Sequence, residues 1–307
     1  SELLNLARYT DATVEVLAQK IAKQEGVSAD QIVITNGSSP ILFGYADWIT
    51  KNGNKLVTSM ATYEGVPRGA EFMGADVTYV PLAADMTFDL DAIEAAVTED
   101  TTAVYVCNPN NPTGNLFERE TIEAAIDAAN GLVIIDEAYH PYCGQTFLNE
   151  IPGKGHLAVL RTFSKLGLAG LRLGFLTGPE PWLAQINKVR LPYNISVLAQ
   201  ASARFALSHV DWFMQQAEKV CTERRRLHNG LQELSGLKVY PSAANFLLFR
   251  VSEGTASWVF DSLLQQNILI KNLDGQHDRL RDCLRVTVGT PDENDLFHEA
   301  LSVAISS

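Results

Sequence analysis

The 307-residue chain is poor in cysteine: Cys107, Cys143, Cys221 and Cys283 lie far apart, with no pair at two-residue spacing. That argues against a dense disulfide scaffold and leaves no thiolate zinc motif. The six histidines, His140, His156, His209, His228, His277 and His298, show no metal-ligand spacing either, so no metal is expected. Sparse cysteine fits a reducing, cytoplasmic compartment. Positive charge is also scarce, with 24 Lys plus Arg against 36 Asp plus Glu and a net charge of −12. A surface that acidic repels phosphate backbones and anionic lipid, which argues against nucleic-acid and membrane partners. The longest uncharged stretch, 101–117, contains Asn108, Pro109 and Pro112, so no membrane-crossing helix is expected. No charged-then-apolar leader opens the chain, and there is no internal repeat or low-complexity segment.

What remains is a globular composition, 46% hydrophobic and 20% charged, able to bury a large core. Short β-branched runs at 32–35, 56–58, 76–80, 102–106, 132–136, 158–161 and 173–177 read as strands. Amphipathic stretches at 38–50, 64–73, 90–97 and 118–129 separate them as helices. Continuous apolar strands alternating with helices predict an α/β fold, a mostly parallel seven-stranded sheet covered on both faces. After Pro192 the rhythm changes. One long helical stretch runs from about 196 towards 234, followed by strands at 239–240 and 246–251, a helix at 256–266, strands near 268–271 and 284–287, and a last helix at 293–304. This predicts a large domain over 1–205 and a smaller α+β domain over 206–307.

Ligands of open α/β sheets sit at the carboxyl ends of the strands. The polar residues following the apolar runs are Asn36-Gly37-Ser38-Ser39, Tyr63, the 108–114 loop, Asp136-Glu137-Ala138-Tyr139 and Thr162-Phe163-Ser164-Lys165. Two tempting motifs fail on context. Leu132-Val133-Ile134-Ile135-Asp136-Glu137 resembles a nucleotide-binding metal strand, but no phosphate-loop glycine-lysine pattern accompanies it. Gly153-Lys154-Gly155 precedes a strand, where a dinucleotide loop follows one.

Asn108-Pro109-Asn110-Asn111-Pro112-Thr113-Gly114 makes a turn in any protein, and its two X-Pro restrictions also make it a rigid loop that holds a side-chain amide still. Asp136 closes four apolar residues: it is either a cap for the next segment or a charge partner for a protonated ring nitrogen. Tyr139, three residues on, is placed to donate to the same ligand. Lys165 opens an apolar, glycine-broken stretch, where desolvation lowers an amine's pKa and frees it for Schiff-base chemistry. Ser164 and Arg172 flank it with the hydroxyl and charged fork that suit a phosphate monoester. Ser38 and Ser39 open a helix, either as caps or as part of an anion site.

Taken in order, the 108–114 loop, Asp136-x-x-Tyr139, Ser164-Lys165 with Arg172, and Leu284-Arg285-Val286-Thr287-Val288-Gly289-Thr290 resemble the fold type I pyridoxal-phosphate aminotransferases. The 284–290 segment and Val189-Arg190-Leu191-Pro192-Tyr193-Asn194 are most similar to the histidinol-phosphate aminotransferase branch. The similarity spans essentially the whole chain.

The resemblance implies that Lys165 links to pyridoxal 5'-phosphate and shuttles the proton between substrate Cα and cofactor C4′. Asp136 would keep the pyridine nitrogen protonated. Asn111 and Tyr139 would hydrogen-bond the ring O3′, and Tyr63 would stack on its face. Ser38, Ser39, Ser164 and Arg172 would hold the cofactor phosphate, and Arg285 the substrate carboxylate. Arg8-Tyr9 matches a segment whose tyrosine reaches the phosphate of the neighbouring subunit, implying a cytoplasmic homodimer with shared sites. Two departures accompany the match. Lys165 and Arg172 are seven residues apart where many relatives have eight, and the residues given begin near Arg8-Tyr9, without the arm that closes over substrate in this family.

The expected reaction is ping-pong transamination between an amino donor and a 2-oxo acid, with histidinol phosphate and 2-oxoglutarate as the expected pair. The rival readings are an aminotransferase for another, aromatic, amino acid, decarboxylation of a phosphorylated amino acid on the same scaffold, and a catalytically inactive structural or regulatory relative.

Overall fold

The computed structural model describes residues 6–306. After a first helix that the sequence reading does not include, α1 (Glu15–Glu25), the first half alternates as the sequence predicts. Helix α1 leads to β1 (Ile32–Thr35), α2 (Ser39–Asn52), β2 (Lys55–Ser59), α3 (Gly65–Phe72) and β3 (Asp76–Val80). Next come α4 (Leu90–Ala96), β4 (Ala103–Cys107), α5 (Arg119–Ala128), β5 (Leu132–Asp136), β6 (Leu157–Thr162) and β7 (Gly174–Thr177). These seven strands form one sheet in the order β1-β7-β6-β5-β4-β2-β3. All are parallel except β7, which runs antiparallel to both β1 and β6. Strands β4 and β5 are buried at every residue, as central strands covered on both faces must be. On one face lie α2, α3 and Leu183 and Ile186 of the next helix; on the other, α4, α5 and the Phe147–Ile151 segment.

That next helix, α6 (Glu180–Val189), is absent from the sequence reading. Pro181 looks like a breaker, but it occupies the first helical turn, where no backbone N–H is needed. The long helical stretch beyond 196 is in fact two helices, α7 (Val197–Leu207) and α8 (Val210–Gln232). At the break, the Ser208 hydroxyl donates to the Arg204 carbonyl at 2.9 Å and the His209 ring meets the Phe205 carbonyl at 2.9 Å, so side chains take up the last turn's acceptors.

A second, wholly antiparallel sheet follows: β8 (Lys238–Val239), β9 (Phe246–Arg250), β10 (Lys271–Asn272) and β11 (Cys283–Thr287), in the order β10-β11-β9-β8. Strand β10 starts later than the sequence suggests; after α9 (Ala256–Gln265) the chain turns through Asn267, which has a left-handed φ of 61°. Helix α10 (Pro291–Ser306) packs with α8 and α9 on this sheet. No helix among the described residues is long and apolar enough to cross a membrane.

Candidate active site

Five polar segments reach the carboxyl edge of the large sheet. Asp136 ends β5 and is 4% exposed. Its Oδ2 accepts from the Tyr105 hydroxyl at 2.7 Å and its Oδ1 from the Ala138 N–H at 3.0 Å. The Ala138 bond is the local turn contact of a cap; the Tyr105 bond comes from the neighbouring strand. Burial pushes the carboxyl up to about 6, although both hydrogen bonds and the more distant Lys165 charge pull it down. A buried carboxylate with so little positive charge around it is a site for a cation.

Lys165 lies in the Phe163–Leu166 turn after β6, which the Thr162 side chain caps by accepting the Ser164 N–H at 3.1 Å. The Tyr142 hydroxyl donates to the Lys165 carbonyl, pinning the turn from the opposite side. Lys165 Nζ stands 4.9 Å from the centroid of the Tyr139 ring. Burial lowers the lysine pKa, and the Arg285 charge lowers it further while Asp136 opposes. More of the amine is therefore the nucleophilic free base than in a solvated lysine. Tyr139 is itself buried, and burial holds its phenol protonated. Its ring meets Phe246 edge-on at 5.3 Å, and the Arg285 guanidinium lies 4.6 Å from the Phe246 centroid.

The loop after β1 forms a cup. Gly37 has φ +83°, and a Cβ there would sit 2.8 Å from Arg172 Nη2. A Cβ on Gly174 would lie 2.8 Å from the Gly37 carbonyl carbon. Both glycines are needed for the loop to lie against β7 and Arg172. Ser38 makes no side-chain capping bond to α2, so its hydroxyl is not spent on the helix. Free N–H groups at the start of a 14-residue helix, with Arg172 alongside, form an anion site. Across the opening, Arg285 Nη1 donates to Asn111 Oδ1 at 2.6 Å, joining β11 to the 108–114 loop. Asn111, Arg285 and Tyr63 line a cavity of about 1040 Å³. Tyr9 lies elsewhere on the surface, 86% exposed, with its ring 4.8 Å from that of Tyr193. The Val189–Asn194 motif anchors that segment through Arg190, which donates to the Ala12 carbonyl at 3.0 Å.

Four residues near the site escape sequence reasoning: Tyr105, Tyr142, Phe246 and Lys271. Tyr105 and Phe246 read as core aromatics. Lys271 becomes meaningful only through the register, which sets it directly opposite Arg285 and on the wall of the same cavity. Among the described residues no group of three or more His, Cys, Asp or Glu could hold a metal ion.

Seven strands in this order, with the reactive groups on loops at one edge, define the class: pyridoxal-phosphate enzymes of fold type I. The chain belongs to the family described as aminotransferase class I and II, whose profile matches residues 4–301, and pyridoxal phosphate is its cofactor. It is 41% identical over 300 residues to histidinol-phosphate aminotransferase 2 of Nitrosococcus oceani, covering 97% of this chain and 83% of that protein. It is 42% identical over 307 residues to histidinol-phosphate aminotransferase 2 of Cupriavidus pinatubonensis, covering 98% of this chain and 83% of that one. A solved histidinol-phosphate aminotransferase from Sinorhizobium meliloti, in complex with pyridoxal-5'-phosphate, superposes with a TM-score of 0.90 at 28% identity, covering 98% of this chain and 83% of that one.

Proposed function

We propose that this chain transaminates histidinol phosphate with 2-oxoglutarate. The observation that carries the substrate reading is the pairing of Lys271 with Arg285, directly opposite across β10 and β11 on one cavity wall. Both cations line the same cavity, and an anion bound there has two positive side chains to meet. The phosphate of histidinol phosphate and the carboxylates of a 2-oxo acid both supply that anion, and the planar Arg285 fork suits either.

Pyridoxal phosphate, when bound, supplies the aldehyde that takes up the amino group and the ring that accepts the electron pair released at the substrate. The chain's own residues do the rest. Lys165 Nζ would carry the proton between substrate and cofactor. Asp136 would keep the pyridine nitrogen protonated. Asn111 and Tyr139 would hydrogen-bond the ring oxygen, and Tyr63 would cover the ring. Ser38, Ser39, Ser164 and Arg172 would hold the phosphate. The same reading assigns a large cofactor-binding domain to 1–205, a small domain to 206–307, and a cytoplasmic homodimer in which Tyr9 serves the partner's site. Mixing Lys165→Ala subunits with Tyr9→Phe subunits tests the sharing: native cofactor affinity should return in about half the heterodimer's sites, one of which carries both defects and the other neither.

The substrate test is a single half-reaction, read by the absorbance of the bound cofactor. Histidinol phosphate should react with a kcat/KM roughly ten- to a hundred-fold above that of histidinol, the difference that charge-assisted contacts to the phosphate supply. Lys271→Met should narrow that gap. Equal reactivity of the two donors in the native enzyme overturns the substrate assignment.

A further inference from the structure

We propose that Tyr105 is a positioning residue for the cofactor's ring nitrogen, acting through Asp136. The inference rests on the reading that Asp136 meets that nitrogen. Tyr105 is the sole aromatic of β4, whose sequence is Ala-Val-Tyr-Val-Cys, and it is 0% exposed. Its ring belongs to the hydrophobic core beneath α2 and α3, whose packing makes no use of a hydroxyl. A hydroxyl taken that deep is costly unless it finds a partner. Its partner is Asp136 Oδ2. Strands β4 and β5 pair in parallel with Cys107 opposite Asp136, so Tyr105 stands two residues back on the same sheet face and its ring spans the difference.

The bond does two things for Asp136. Geometrically, Ala138 holds one carboxylate oxygen and Tyr105 the other, which sets the plane of the group. Each oxygen keeps a lone pair for a further donor. Electrostatically, the bond favours the ionised carboxylate against the burial that disfavours it. The titratable groups that act on the carboxylate are Tyr105 and Cys107 from β4, Glu137 just beyond β5, the Tyr139 phenol, and Lys165 after β6. Burial keeps the Tyr105 phenol and the Cys107 thiol in their neutral forms, and Lys165 is the one cation of the set. Without the Tyr105 hydroxyl, Asp136 becomes the stronger base, holds the shared proton itself to higher pH and leaves the ring nitrogen unprotonated.

The test is a double-mutant cycle on cofactor affinity. Pyridoxal phosphate is titrated into cofactor-free native protein, Tyr105→Phe, Asp136→Asn and the double variant, and thermal unfolding of each checks the fold. Tyr105→Phe should raise the dissociation constant about tenfold in the native background and less than about twofold beside Asp136→Asn. The acid limb of cofactor binding should also move to higher pH in Tyr105→Phe. An unchanged constant in Tyr105→Phe, or the same loss on both backgrounds, makes the phenol a packing residue and overturns the proposal. If Asp136→Asn alone leaves affinity untouched, the reading of Asp136 fails and takes this inference with it. Should Tyr105→Phe unfold without cofactor, the pH dependence of the bound cofactor's absorbance in the loaded variant decides the question by the same shift.

Discussion

Asp136 and Glu137 are adjacent carboxylates, both buried, one closing β5 and the other just beyond it, yet they point to opposite faces and live differently. Glu137 is matched. Arg161 donates to its Oε2 through Nε at 3.1 Å and Nη2 at 2.8 Å, Thr146 Oγ1 adds a bond at 2.9 Å, and the Phe147 N–H reaches Oε1 at 2.6 Å. Arg161 also pairs with Glu25, so α1, β5 and β6 share one buried ionic knot. Asp136 has two neutral donors and no cation at contact. Satisfied charge ties elements together; unsatisfied charge is a place for a ligand. Glu137 is spent on the fold and Asp136 is left without a cation, one residue apart.

Four expected outcomes sharpen or break this contrast. The largest effect belongs to the cation nearest the unmatched carboxylate. Lys165→Ala should abolish transamination while pyridoxal phosphate still binds non-covalently in the phosphate cup. Borohydride reduction of the native enzyme should label Lys165, and label on another lysine sinks the assignment. Asp136→Ala should remove about 3 kcal/mol or more of transition-state stabilisation, by the cost of breaking a buried pair, with Asp136→Glu retaining more. Equal, near-native rates in both would reduce Asp136 to a cap.

Glu137→Ala should fail in the other way, losing about 3 kcal/mol of fold stability as Arg161 is left half-matched, with cofactor affinity little changed. A denaturant midpoint against a cofactor titration separates the two. Lost affinity at full stability would break the contrast.

The smallest effect is in pH. Burial raises the Asp136 pKa from 3.8 to about 6. Its protonated form is thus stabilising below about pH 4, and that contribution is lost as pH rises through about 6, by roughly 2–3 kcal/mol. Glu137 and Glu25 are also raised by burial against the pull of Arg161, so their slopes run the same way. Subtracting the Asp136→Asn curve isolates the Asp136 part. Identical pH dependence of the two proteins would show that burial does not strain Asp136.

Much of this site is visible in the sequence because strand ends are marked by a change from apolar to polar. Asp136 after four apolar residues and Lys165 after Arg161-Thr162-Phe163-Ser164 declare themselves in that way. Tyr105 does not, because a strand buried on both faces has no alternation to say which side a residue faces. Its partner is 31 residues away, and Arg285 is 174 residues from Asn111. Helix α6 and the division of α7 from α8 were missed for local reasons, a proline in a tolerated first turn and side chains that close a helix early.

The sequence by itself determined the alternation of strands and helices, the polar segments that follow the strands, and the family they resemble, since each depends on neighbours a few residues apart. The tertiary structure decided which face each carboxylate takes, that Lys271 stands opposite Arg285, and that a tyrosine from the next strand reaches Asp136. Those are matters of register and of side-chain direction across a sheet. Shifting a strand by one residue turns every one of its side chains to the other face, and the residues that set register lie far away in the chain.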